Sequence, residues 1–121
     1  MTKKILIVED NPVNLELFMD ILSSEGYQCV YTSKGEEAVE LAEKERPDLI
    51  LLDIQLPGMD GITVGKTLKS QDNTKGIKVV ALTAYAMKGD KEKFLEMGFD
   101  GYISKPIKIK EFLESVSGFF P

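Results

Sequence analysis

The stretch Pro47-Asp48-Leu49-Ile50-Leu51-Leu52-Asp53 decides the fold. Four consecutive large aliphatic residues leave no polar face, so the run suits a strand covered on both sides, and it is too short for an ordinary helix. Outward from it, Ile5–Val8 and Val79–Leu82 repeat the pattern, and the weaker runs Tyr27–Thr32 and Gly101–Ser104 bring the predicted strands to five.

The segments between them carry helical spacing and helical punctuation. Asn11 is placed to cap a helix with Pro12 at its first position, Leu15, Phe18, Met19 and Leu22 at spacings of three and four, and Gly26 as its stop. Ser33 and Glu36 stand in capping-box spacing ahead of Ala38, Val39, Leu41 and Ala42, and this segment closes before Pro47. A third helix begins near Asp60-Gly61 and takes in Ile62, Gly65 and Leu68. A fourth carries Phe94, Leu95 and Met97 and ends at Gly98, and a fifth follows Pro106 with Ile109, Phe112, Leu113 and Val116 on one stripe. Strict alternation of strand and helix, with no room for hairpins, implies right-handed crossovers. The predicted fold is α/β, a (βα)5 doubly wound five-stranded parallel sheet of flavodoxin-like type in three αβα layers.

Composition narrows the function. The chain has 121 residues, of which 43 % are apolar, which suffices for one core covered on both faces, and residues 1–121 read as a single domain. Met1 stands close to the first strand, and no linker or low-complexity stretch marks a second unit. A net charge of −5 with acids and bases interspersed argues against nucleic-acid binding through a basic surface. The apolar run after Lys4 is too short for a signal peptide, and no run approaches the ~20 residues that span a bilayer, so a cytoplasmic protein without membrane contact is expected. Cys29 is the one cysteine, which excludes an internal disulfide and reads as a small core residue.

In open parallel sheets ligands bind beyond the carboxyl ends of the strands. Those ends are marked by Glu9-Asp10, Asp53, Thr83 and Ser104-Lys105-Pro106. Singly, each has a bland reading: an acid before Asn11-Pro12 as a solvated cap, Thr83 as an ordinary strand residue, Lys105 as a loop charge. Jointly, three carboxylates and one lysine make the pocket that a divalent metal and a phosphoryl group need together. Magnesium takes oxygen ligands and keeps several waters, so Asp10 and Asp53 are the expected direct ligands, with Glu9 reaching the ion through water. Asp53 is placed as a nucleophile towards phosphorus, Lys105 supplies an ammonium to the phosphoryl oxygens, and Thr83 a hydroxyl.

At this point the chain resembles the response-regulator receiver (CheY-like) family along its full length. The resemblance rests on Ile5-Leu6-Ile7-Val8-Glu9-Asp10-Asn11, on Pro47 through Gly61, on Ala81-Leu82-Thr83-Ala84 and on Tyr102-Ile103-Ser104-Lys105-Pro106. Within the family, Asn11-Pro12-Val13-Asn14, Asp53-Ile54-Gln55-Leu56-Pro57 and Thr83 through Asp90 are most similar to a single-domain cell-division regulator. Related segments occur in receivers attached to hybrid histidine kinases. The resemblance implies Asp53 as phosphorylation site, Glu9 and Asp10 as the acid pair for Mg2+, with Mn2+ as a substitute, and Gln55 as a ligand through its backbone carbonyl. It implies Thr83 and Tyr102 as a switch pair, and a cis bond at Lys105-Pro106. A histidine kinase or histidine phosphotransfer protein would supply the phosphoryl group, and a downstream protein would bind the fourth helix, fifth strand and fifth helix, from about Met87 to Val116. Gln55 and Tyr85 would tune hydrolysis. Such a protein is a switch with slow self-phosphorylation and autodephosphorylation rather than a turnover enzyme.

Two rivals lose on particular residues. An aspartyl-phosphate phosphatase of the haloacid-dehalogenase type needs an acid two residues after its nucleophile, where this chain has Gln55. An FMN carrier needs a Ser/Thr/Gly-rich loop after the first strand, where Glu-Asp-Asn-Pro would repel the phosphate.

Overall fold

The computed structural model describes residues 2–54, 61–84 and 90–120. Strands and helices alternate through them as β1 (Lys4–Val8), α1 (Pro12–Ser24), β2 (Gln28–Thr32), α2 (Gly35–Glu45), β3 (Leu49–Asp53), α3 (Gly61–Ser70), β4 (Lys78–Thr83), α4 (Asp90–Glu96), β5 (Gly101–Ser104) and α5 (Ile109–Gly118). All strand pairs are parallel and the order across the sheet is β2-β1-β3-β4-β5. The chain turns one way from β1 to β2 and the other way to β3, which makes the carboxyl ends of β1 and β3 the topological switch point.

The continuous apolar runs are explained by two cores, one on each face. Leu6, Val8, Ile50, Leu52, Val79 and Ala81 point to Ala38, Val64 and Phe94 from α2, α3 and α4. The intervening residues Ile5, Ile7, Leu49, Leu51, Val80 and Leu82 point the other way, to Phe18 and Phe112 from α1 and α5, whose rings stack with centroids 5.5 Å apart. Each fully buried aliphatic side chain contributes about 1.5–3 kcal/mol against exposure, so β1, β3 and β4 anchor the fold. Among the described residues no helix is long and apolar enough to cross a membrane.

Punctuation works as expected at α1, where Asn11 Oδ1 accepts from the amides of Val13 and Asn14 at 2.9 and 3.1 Å and Gly26 takes φ +89°. The expected capping box at Ser33 and Glu36 does not form. Lys34 occupies the cap of α2 without a side-chain bond, and the Thr32 hydroxyl at the end of β2 accepts from the Lys34 amide and donates to Glu37. The buried threonine at the strand end ties down the entry to the helix, without taking the capping role expected of the serine after it. One stripe position differs, since Ile109 at the start of α5 faces solvent, as does Leu95 on α4.

Cys29 is half-buried, and burial pushes its thiol above the usual range, with a smaller opposing effect from a hydrogen bond with Ser23. The thiolate is the reactive form. At mildly alkaline pH, iodoacetamide should modify Cys29 several-fold more slowly in the folded protein than in urea. Equal rates by intact mass would contradict the burial.

Candidate functional site

A parallel sheet brings every strand's carboxyl end to one edge, and register fixes which ends are neighbours. Val8 pairs with Leu52, Asp53 with Leu82 and Thr83 with Ser104, so the residues that follow β1 and those that close β3 and β4 meet at the same level. Glu9 (1 % exposed), Asp53 (2 %) and Thr83 (1 %) are buried there, while Asp10 stands exposed at the mouth. Carboxylate oxygens of Glu9, Asp10 and Asp53 all lie within 4.8 Å of one another.

Lys105 reaches into this group from the end of β5. Its Nζ lies 3.0 Å from Glu9 Oε2 and 3.1 Å from Asp53 Oδ2. Its amide donates to the Thr83 carbonyl at 2.8 Å, and the Lys105-Pro106 bond is cis. Burial works to lower the lysine's pKa, but the hydrogen bond and charge of Glu9, and then those of Asp53, outweigh it and hold the ammonium protonated. Glu9 is raised above the ordinary carboxylate range, first by burial and then by its hydrogen bond with Asp53, against the opposing pull of Lys105. Two unit charges ~5 Å apart repel by about 3 kcal/mol at an effective dielectric of ~20, so the lysine offsets part of a real cost.

The backbone that carries Asp53 is held from beneath. Ile54 donates to the Leu82 carbonyl and Gly61, opening α3, donates to the Ile54 carbonyl, both at 3.1 Å. Gly61 lies so close that a Cβ there would stand 2.3 Å from the Asp53 carbonyl oxygen.

The expected site residues Glu9, Asp10, Asp53, Thr83 and Lys105 thus converge on one edge. Gln55 and Tyr85 lie outside the described residues. Tyr102 is half-buried and packs on the α4 side of the sheet, its ring 5.9 Å from that of Phe94. Phe94 in turn meets Phe99 edge-on at 5.7 Å. Sequence reasoning missed Asn14, whose side-chain amide donates to Glu9 Oε1 at 3.3 Å, joined by the Asn11 amide at 3.4 Å. The available signal was its place one turn into a helix that begins directly after the acid pair.

A small hard cation fits this donor set. Three clustered carboxylates, one of them at the solvent face, supply the oxygen ligands that magnesium prefers.

The sequence profile of the response regulator receiver domain matches residues 5–117. The chain belongs to that family. Among similar proteins, the polar-differentiation response regulator DivK of Brucella anthropi is 47 % identical over 119 residues, covering 98 % of this chain and 97 % of the relative. DivK of Brucella ovis is 46 % identical over the same span. Among solved receivers, that of a sensor histidine kinase from Pseudomonas aeruginosa, which has magnesium coordinated in its active-site cleft, superposes with a TM-score of 0.88 at 37 % identity and 98 % coverage of both chains. The chemotaxis regulator CheY4 of Vibrio cholerae superposes with a TM-score of 0.92 at 25 % identity, covering 99 % of this chain and 100 % of that one. The receiver fold and its strand-end acids are therefore the frame for the function.

Proposed function

We propose that this receiver accepts a phosphoryl group on Asp53 in two-component or phosphorelay signalling. The observation that carries this reading is the Lys105 ammonium seated between buried Glu9 and buried Asp53 at the carboxyl edge of the sheet. As a purely structural ion pair this cluster would recover little beyond the desolvation of its three charges, whereas a phosphoryl acceptor needs a fixed cation there.

In the transfer, an Asp53 carboxylate oxygen forms a bond to phosphorus while the bond from phosphorus to the donor breaks. For a phosphohistidine the leaving electron pair stays on the imidazole nitrogen, and the product is an acyl phosphate. Lys105 shifts from the carboxylates towards the new phosphoryl oxygens, and the Thr83 hydroxyl donates to one of them. Asp10 and Asp53 would hold Mg2+ directly, Glu9 through water, and Gln55 by its carbonyl. The ion supplies charge neutralisation at the transferring oxygens. Self-phosphorylation from a small donor and hydrolysis of the acyl phosphate are both slow, so the protein acts as a switch.

Output follows from a shift between two conformations, which Tyr102 reports: its ring would turn inward as Thr83 moves towards the phosphate. A histidine kinase or phosphotransfer protein is the donor, and a downstream protein reads α4, β5 and α5. The expected compartment is the cytoplasm.

The test is intact mass after incubation with acetyl phosphate, with and without magnesium. One added phosphoryl group that requires the ion supports the reading. No addition from acetyl phosphate and none from a phosphohistidine donor would sink it.

Charge crowding adds a second expectation. Magnesium should raise the melting temperature by several degrees, and Asp10→Ala should raise it in chelator, because one repelling carboxylate is gone. An alanine variant that melts lower in EDTA would show that the crowding is not a net cost.

A further inference from the structure

On the side of the sheet away from Lys105 and β5, β2 presents an open edge. Gln28 donates to the Lys3 carbonyl and the Thr32 carbonyl accepts from Glu9, so the even-numbered residues of β2 bond to β1. By the alternation of a parallel ladder, the amides and carbonyls of Cys29 and Tyr31 turn outward. Strand edges are ordinarily guarded by charge, proline or a bulge. Gln28-Cys29-Val30-Tyr31-Thr32 contains neither a charged residue nor a proline.

Tyr31 is 56 % exposed and stands between two open grooves. One runs along α1, with Leu15 and Met19 at its floor and Glu16 and Asp20 at its rim. The other runs along α2 over Leu41, rimmed by Glu37, Glu40 and Lys44. Among the described residues no ion pair holds Glu16, Asp20 or Glu40. The charge is concentrated in this part of the chain: residues 10–45 contain nine carboxylates against two lysines, a balance of −7, while the whole chain carries −5.

We infer that the β2 edge is a docking site for an extended segment of a partner protein in which lysine or arginine alternates with apolar residues. The segment adds as a strand to the outward groups of Cys29 and Tyr31. Its side chains alternate between the two faces of the sheet, so the apolar ones enter the groove of Leu15 and Met19 beside Tyr31, and the cations, on the other face, meet Glu37 and Glu40. A second copy of this chain is the weaker occupant, because a contact between this acidic edge and a different, basic face would be head-to-tail and would not close. The site lies on the opposite edge of the sheet from β5, so this inference does not depend on the phosphoryl chemistry.

The test uses the 15N-labelled full chain and three short acetylated peptides: one alternating Lys and Val, one alternating Glu and Val, and one with the lysines and valines in separate blocks. The alternating basic peptide should shift the amides of Cys29 and Tyr31 and slow their hydrogen exchange. Glu40→Lys should weaken its binding at least tenfold, as should Tyr31→Ala. The acidic peptide should not bind. Equal binding by the blocked peptide would mean charge attraction alone, and shifts elsewhere or none would mean that the edge is not a docking site. Dilution-dependent shifts at β2 without peptide would assign the edge to a second copy, and either result overturns the inference.

Discussion

Asp53→Asn should take up no phosphoryl group under conditions in which the wild-type chain gains one, and it should do so without unfolding. The substitution keeps the shape of a side chain that is almost fully enclosed at the end of β3. It removes the anionic oxygen that must attack phosphorus, for which an amide is no substitute. Lys105 keeps Glu9 as its partner at 3.0 Å, so the pocket retains a counter-charge for the ammonium. Circular dichroism and melting temperature should therefore stay near those of the wild type while labelling falls to background. Lys105→Ala makes the contrasting case, with labelling slowed about 10²–10³-fold but not abolished, the usual size of losing one donor to a developing charge. Undiminished labelling of the asparagine variant would move the acceptor elsewhere.

Gly61→Ala is expected to be among the most damaging single-methyl additions in the chain. The new Cβ would meet the Asp53 carbonyl oxygen at 2.3 Å and the Ile54 Cα at 2.6 Å. Both are backbone atoms of a strand end fixed by pairing with β4, so neither can swing aside as a side-chain tip would. Overpacking of this kind costs about 3 kcal/mol or more. The urea midpoint should fall accordingly with an unchanged slope, and phosphoryl labelling should drop as well, since any relief displaces the backbone of Asp53. Gly76→Ala serves as the control, because a Cβ at Gly76 meets nothing within 4 Å. Equal midpoints for the two variants would refute the close approach of α3 to the site.

Much of this was legible in the residues because burial on both faces leaves an unmistakable mark. Ile5–Val8, Leu49–Leu52 and Val79–Leu82 have no polar alternation, and they form the three central strands. The site was legible for a related reason: chemistry collects where such runs stop, so the residue after each run is worth reading. What escaped was set by tertiary neighbours. Ser33 has the right type and spacing for a cap, but whether it serves depends on where β2 places the Thr32 hydroxyl. Asn14 looks like a solvated first-turn residue until the loop after β1 folds Glu9 beneath it. Nothing local in Glu9-Asp10 distinguishes the buried acid from the exposed one. Only the assembled sheet edge does.

The bond between Lys105 and Glu9 joins residues 96 positions apart. Contacts of such separation carry a large loop-closure cost and are rewarded late in folding. The acids follow β1 and close β3 while their cation follows β5, so a nascent chain lacking β5 would hold the repulsion without its relief. Completion of the pocket is thereby tied to the last strand of the chain, and a chain truncated ahead of Lys105 should take up phosphoryl groups no faster than Lys105→Ala.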